Sequence, residues 1–239
     1  MTTPRISILL PPSEGKAEGG RRPAWRTTSG RFGRALGSPR AEVVAALADA
    51  QGGDAKLLGV SGVNLERARV ANVNVTGSPT MPACQRYTGV VWDHIGFATL
   101  DEAARARADE SIIIVSGLLG LAALDDPVPD YKLKMGGSLP GVGRLSSFWR
   151  EPLSRALNQR IADTWVIDLL PIEHRAAFEP EPDRYRGLFR VSFVETSGKV
   201  AGHDAKAAKG MLVRHLLQSK ASPAKALASW KHPRFNIDY

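Results

Sequence analysis

Ile112-Ile-Ile-Val-Ser-Gly-Leu-Leu-Gly-Leu-Ala-Ala-Leu-Asp-Asp-Pro-Val-Pro-Asp-Tyr-Lys-Leu-Lys-Met-Gly-Gly137 is the stretch on which the reading of this chain turns. Ile112 to Val115 is a β-branched run too short for a helix and typical of a strand buried on both faces. Ser116-Gly117 breaks it, and the segment through Leu124 is apolar enough to turn inward again. Asp125, Asp126, Pro127 and Pro129 end that segment. Tyr131, Lys132, Lys134 and Gly136-Gly137 then mix an aromatic ring with cations and flexible backbone. A buried strand that empties into a glycine-containing turn is where α/β proteins place functional groups. An ordinary core strand with a solvated loop would have the same pattern.

Outward from this stretch, short apolar strands alternate with helices. Ile6 to Leu10 reads as a strand stopped by Pro11-Pro12, and Ser13-Glu14-Gly15-Lys16 follows as a turn into a basic, glycine-rich loop. The P-loop spacing GxxxxGK[ST] is absent. Lys16 could hold a phosphate or shift a neighbour's pKa, and Glu14 could pair with it or act as a general base. A surface Glu/Lys pair is the plainer alternative. Helices are expected over Arg40 to Ala50 and Leu100 to Asp109. Another is expected over Leu145 to Ile161, where Phe148, Trp149, Leu153, Leu157 and Ile161 recur at helical spacing as core. Tyr87 to His94 reads as a strand or turn, and Arg190 to Glu195 as a strand before a turn at Ser197-Gly198. In Trp165 to Leu170 a further buried strand carries Asp168, a carboxylate that needs a partner. Trp230 to Tyr239 is expected to pack back as a strand or extended arm. This alternation predicts one α/β or α+β domain over residues 1–239, with a small helical element in 40–75.

Two constellations suggest chemistry. Leu57-Leu58-x-Val60-x-Gly62-Val63-x-x-x-x-Ala68 resembles a helix-hairpin-helix, in which a glycine turn points backbone amides at a DNA phosphate. Gly62 and Arg67 are its candidate contacts, although many αα-hairpins carry such a glycine. The last helix is expected over His203 to Ser219. At 100° per residue, Leu212, Val213, Leu216 and Leu217 fall on one arc of about 140°, and Lys206 and Lys209 share it. Lysines on an inward stripe need an anion, a ligand or a cleft mouth, unless they snorkel outward. Gly210 beside them permits close backbone approach.

Composition narrows the function classes. With 239 residues, 43% hydrophobic and 23% charged, the chain has the make-up of a folded globular protein. No apolar run approaches the ~20 residues of a membrane span, and the N-terminus lacks signal-peptide features, so a cytoplasmic address is expected by default. A single Cys84 and five scattered histidines leave no metal-ligand spacing, and no cofactor motif is present. The formal net charge is +8, concentrated at the ends: residues 1–40 and 199–239 each sum to +6, and the segment between them to −4. Such a distribution invites a polyanion.

Several ordered motifs then carry a family likeness. ILLPPSEGK at the start, SGLLG followed by PDYKLKMG, a later FW, the strand VIDLL and KxAKGxLxR near the end resemble the YaaA family, described as bacterial peroxide-stress proteins. The likeness runs from about Ile8 to the C-terminus. It implies a mixed sheet flanked by helices, a positively charged cleft, a helix-hairpin-helix-like element and binding to duplex DNA. It also implies a role in limiting iron-dependent oxidative damage during peroxide stress. Lys16, Lys132, Lys206, Lys209 and Arg214 fit such a basic cleft. The start here differs from the SPAKT-like enterobacterial form, and Asn64 stands where a full hairpin has a second glycine.

Two functions are thus expected of the cleft. One is sequence-independent binding of duplex DNA, with no membrane involved. The other is an enzyme acting on a nucleobase, nucleotide or similar small anion. In the second, Lys206 and Lys209 would bind phosphate or stabilise developing charge, and Glu14 or Tyr131 would transfer a proton. Ser116 and Gly117 amides would hold the ligand, with Lys16, Lys132, Gly136 and Arg214 as further contacts.

Overall fold

The computed structural model describes residues 4–196 and 205–239. Its centre is a five-stranded mixed sheet. In chain order the strands are β1 (Ile6–Leu10), β2 (Ile112–Ser116), β3 (Gly120–Ala123), β4 (Trp165–Asp168) and β5 (Gly187–Arg190), and they lie side by side as β3-β2-β1-β4-β5. β1 is flanked by parallel partners, with Ile8 opposite both Ile112 and Ile167. Strands so enclosed are covered on both faces, and every residue of β2 is buried accordingly.

Parallel neighbours require crossovers, and helices supply them. Between β1 and β2 run α1 (Gly33–Asp49), α2 (Ala55–Leu58), α3 (Val63–Val73), α4 (Ala83–Arg86), α5 (Val90–Ile95) and α6 (Glu102–Ser111). α7 (Leu145–Ile161) leads to β4 and α8 (Ile172–Arg175) follows it; α9 (Ala205–Gln218) and α10 (Pro223–Ser229) lie near the end of the chain. The expectation of a mixed sheet flanked by helices is met.

The decisive stretch folds as read. β2 turns back into β3 with Ser116 opposite Gly120. Gly120 has φ +63°, and a Cβ there would lie 2.6 Å from the Trp149 ring. The same indole donates to the Gly117 carbonyl at 2.8 Å, so α7 is pinned to the hairpin by a residue that reads from sequence as plain core. α7 has the expected limits, and Trp149, Leu153, Leu157 and Ile161 are buried along one face.

Three elements differ from expectation. α1 begins at Gly33 rather than Arg40 and carries Pro39 within it. Proline disfavours helix in the residue before it. Here, however, Gly33 and Gly37 pack on Thr28, and Leu36 is buried, so packing overrides the local signal. Tyr87 to His94 is not a strand: Tyr87 makes an isolated bridge to Lys16, and Val90–Ile95 is α5. Its β-branched start is outweighed by burial of Trp92 and Ile95 and by its seat against α9. The Arg190–Glu195 strand is two strands. β5 joins the main sheet, and after Val191, whose amide donates to the Asp168 carbonyl, β6 (Ser192–Glu195) pairs antiparallel with β7 (Phe235–Asp238). β7 is the expected returning arm. The turn at Ser197-Gly198 and the start of the last helix at His203 lie outside the described residues.

Two buried guanidiniums hold the loops around this frame. Arg40 donates to the carbonyls of Leu119, Thr27, Ser29 and Leu121 at 2.7–2.9 Å. Arg86 likewise donates to the carbonyls of Val128, Gly19 and Ala17. Neither has a carboxylate as its main partner, so their work is to satisfy backbone acceptors that loops would otherwise bury unpaired.

Candidate functional site

β1, β2 and β4 all point their C-terminal ends to one edge of the sheet, where open α/β sheets form their crevices. After β1 the chain leaves through Pro11-Pro12 and returns as a bridge between Lys16 and Tyr87. Gly15 lies against Thr88, where a Cβ would come within 2.5 Å of the carbonyl oxygen. Beyond β3 the segment 129–134 crosses this edge, held by Asn72 of α3. The Asn72 Nδ2 donates to the carbonyls of Gly52 and Lys132 at 2.8 Å, and its Oδ1 accepts from the Lys132 amide at 2.9 Å. Asn72 was invisible as a site residue in the sequence. Its only signal was an amide in a half-apolar helix, and its partners lie 20 and 60 residues away.

Three hydroxyls line up beneath the crevice. Ser116 Oγ accepts from the amides of Leu118 and Leu119 and lies 2.8 Å from Tyr131 Oη, which lies 2.9 Å from Tyr87 Oη. Burial raises both phenols, Tyr131 to about 12 and Tyr87 well above its ordinary value. At neutral pH both are therefore proton donors and not bases. Lys16 Nζ lies 4.2 Å from the Tyr131 ring centroid and 5.7 Å from that of Tyr87, and it donates to the Ser13 carbonyl at 3.1 Å. Burial, aided by the charges of Lys132 and Arg86 and opposed by Asp130 and Glu14, lowers the Lys16 amine to about 7.

Above it, Lys132 and Glu14 pair at 3.3 Å, with Glu14 largely exposed. Burial pushes the Glu14 carboxyl up, but Lys132, Lys134 and Lys206 together outweigh this and hold it below its ordinary value. Glu14, Lys16, Tyr131 and Lys132 line two adjoining cavities. One, about 340 Å³, extends to Asn64, Arg67 and Asp130. The other, about 140 Å³, extends to Met135, Glu173 and His174. Burial lowers the His174 ring to about 4, and its Nδ1 is buried without a hydrogen-bond partner.

The expected site residues divide. Lys16, Glu14, Tyr131 and Lys132 meet in the crevice. Lys206 is exposed rather than inward, at a mouth where its charge reaches Glu14 and Lys209. Lys209 is half-buried, donates to the Leu169 carbonyl at 2.7 Å, and is lowered to about 8 by burial against the opposing charge of Asp168. Asp168 finds its partner in Arg175 at 2.7 Å. Ser116 and Gly117 are buried under Tyr131 and Trp149, so they support the crevice and do not line either cavity. Gly136 is exposed, beside Glu173. Arg214 does not join: its guanidinium is taken up by the carbonyls of Ile95, Gly96 and Thr99, closing the end of α5. α2 and α3 are joined through Gly59 and Gly62, both with positive φ. Gly62 is exposed at the start of α3, and Arg67 pairs with Glu18 at 2.8 Å and Asp130 at 3.8 Å. The lining of the two cavities is thus mixed in sign, with Lys16, Arg67, Lys132 and Lys134 beside Glu14, Asp130 and Glu173.

Among the described residues no three His, Cys, Asp or Glu side chains gather as a metal site, and no helix is long and apolar enough to cross a membrane.

Residues 6–239 match the model of a family described as peroxide stress protein YaaA. A UPF0246 protein of Streptomyces coelicolor is 36% identical over 223 residues, covering 90% of this chain and 84% of that protein. A UPF0246 protein of Corynebacterium efficiens is 32% identical over 217 residues, covering 89% and 85%. An uncharacterized protein of Campylobacter jejuni is 31% identical over 136 residues, 57% of this chain and 53% of that one.

Proposed function

The chain belongs to the YaaA family, and on that footing we propose that it serves in the peroxide stress response by binding duplex DNA without sequence preference across the mouth of the crevice. The observation that carries this reading is convergence. Lys132 and Lys134 from the segment after β3, and Lys206 from α9, act together on one carboxylate, Glu14. Cations brought together from distant parts of a chain make a field that phosphates share. The start of α3 at Gly62 is exposed, has no side-chain cap and lies just over a turn before Arg67, which suits a phosphate. Backbone contacts of this kind fix position and read no bases.

The test compares charge reversals at the two edges of the sheet. Lys134→Glu and Lys206→Glu should each weaken binding of a fluorescent duplex several-fold and lower the salt slope by about one. Lys220→Glu makes the same change of net charge beside Ser219, near the opposite edge where Arg107 and Ile6 lie, and should have little effect. Equal weakening by all three would mean that the net charge binds DNA and the crevice does not.

A second reading rests on the cavity of about 340 Å³ between Lys16 and Asn64. That volume suits a nucleobase or nucleotide, and Lys16 and Tyr131 in its wall are groups of the kind that transfer protons. Saturable displacement of duplex by one nucleotide would favour it.

A further inference from the structure

We propose that Lys16 is an amine nucleophile that captures an aldehyde entering the crevice, forming an imine with the carbon of an opened deoxyribose. For DNA-borne sugar the inference rests on the DNA-binding reading above. The geometry begins with what Lys16 lacks. An ammonium has three donors to place, yet Lys16 donates to one carbonyl, that of Ser13, and no carboxylate among the described residues pairs with it. Its remaining surroundings are the faces of Tyr131 and Tyr87. It is partly buried and lines both cavities. The neighbouring Lys132 is held by Glu14, and Lys209 is held by the Leu169 carbonyl. Of these three, Lys16 is the one that lines both cavities without a carboxylate partner.

Its amine, lowered to about 7, is substantially neutral where an ordinary lysine is not, and the neutral amine is the nucleophile. In the step proposed, the nitrogen lone pair attacks the aldehyde carbon and a C–N bond forms. The carbonyl π electrons move to oxygen, which takes a proton. Loss of water then breaks the C–O bond as C=N forms, so that aldehyde and amine give imine and water. Tyr131, a buried neutral phenol, can supply the proton for water's departure and recover the second proton that the nitrogen gives up.

The test is reductive trapping with sodium cyanoborohydride, using two probes: a labelled duplex with one abasic site, and free 2-deoxyribose 5-phosphate. Duplex binding is measured in parallel by polarization. Expected is a covalent adduct with each probe, mapping to Lys16 by peptide mass. It should be lost in Lys16→Ala and in Lys16→Arg, which keeps the charge and cannot form the imine, and kept in Lys220→Ala. Matched thermal melting of Lys16→Arg excludes misfolding. The rate should reach half its maximum near pH 7, with Asp130, Glu14, Lys132, Arg86, Tyr87 and Tyr131 as the groups facing the amine. Duplex binding without any adduct overturns the proposal and leaves DNA binding standing. A Lys16 adduct with the sugar phosphate but no duplex binding upholds the nucleophile and overturns the DNA reading. An adduct that persists in Lys16→Arg overturns the assignment to Lys16.

Discussion

Arg40→Met should lower the free energy of unfolding by about 4 kcal/mol, read from a urea or guanidinium transition. The methionine keeps an apolar stem of similar reach and removes the four donors that Leu119, Leu121, Thr27 and Ser29 accept from. Those carbonyls would be left buried without partners, at a cost of about 1–3 kcal/mol for each one that finds no water. Burial lowers the Arg40 guanidinium only to about 10, so it remains charged at neutral pH, and the charge is spread over carbonyl dipoles instead of one carboxylate. Leu119 and Leu121 belong to the β2–β3 hairpin, so the loss would loosen the sheet edge first and the crevice with it. A change below 1 kcal/mol would show that water or loop movement satisfies these acceptors.

Gly210→Ala should cost about 3 kcal/mol, although alanine is the better helix former. A Cβ at position 210 would lie 2.3 Å from the Val91 carbonyl oxygen and 2.7 Å from His94 Cβ. The former is backbone and cannot rotate away, so α9 must part from α5. Lys206 rides on α9 one turn before and Lys209 directly before, and the displacement would carry them off the crevice. Duplex affinity should therefore fall together with stability, which thermal melting and a binding titration on one preparation can check. A stabilised variant with unchanged affinity would show that the two helices are free to slide.

Much of this frame was legible in the residues themselves. The runs ILL, IIIV and WVID are continuous and β-branched enough to mark strands buried on both faces, and α7 announced itself by spacing. The sequence signals failed where packing outweighed local preference, as at Pro39 within α1 and at Val90-Val91 within α5. Lys16, Tyr131, Glu14 and Lys132 stood out singly as polar groups after strands. Their meeting did not, because Lys16 and Tyr131 touch across 115 positions of chain. Arg214 drew attention by charge and motif and proves to close the end of α5. Asn72, Arg40 and Arg86 escaped notice for the opposite reason. Their partners are main-chain carbonyls, which carry no sequence signature.

Binding of a fluorescent duplex of arbitrary sequence should be titrated at several salt concentrations between 50 and 200 mM, first with wild type and then with Lys134→Glu. Each phosphate neutralised at the crevice mouth contributes a slope of about −0.9 in log K against log salt. The expected result is a steep wild-type slope, unchanged by duplex sequence, that becomes shallower by about one in Lys134→Glu. A flat salt dependence, or one that the substitution leaves untouched, would contradict a crevice that holds DNA by its phosphates.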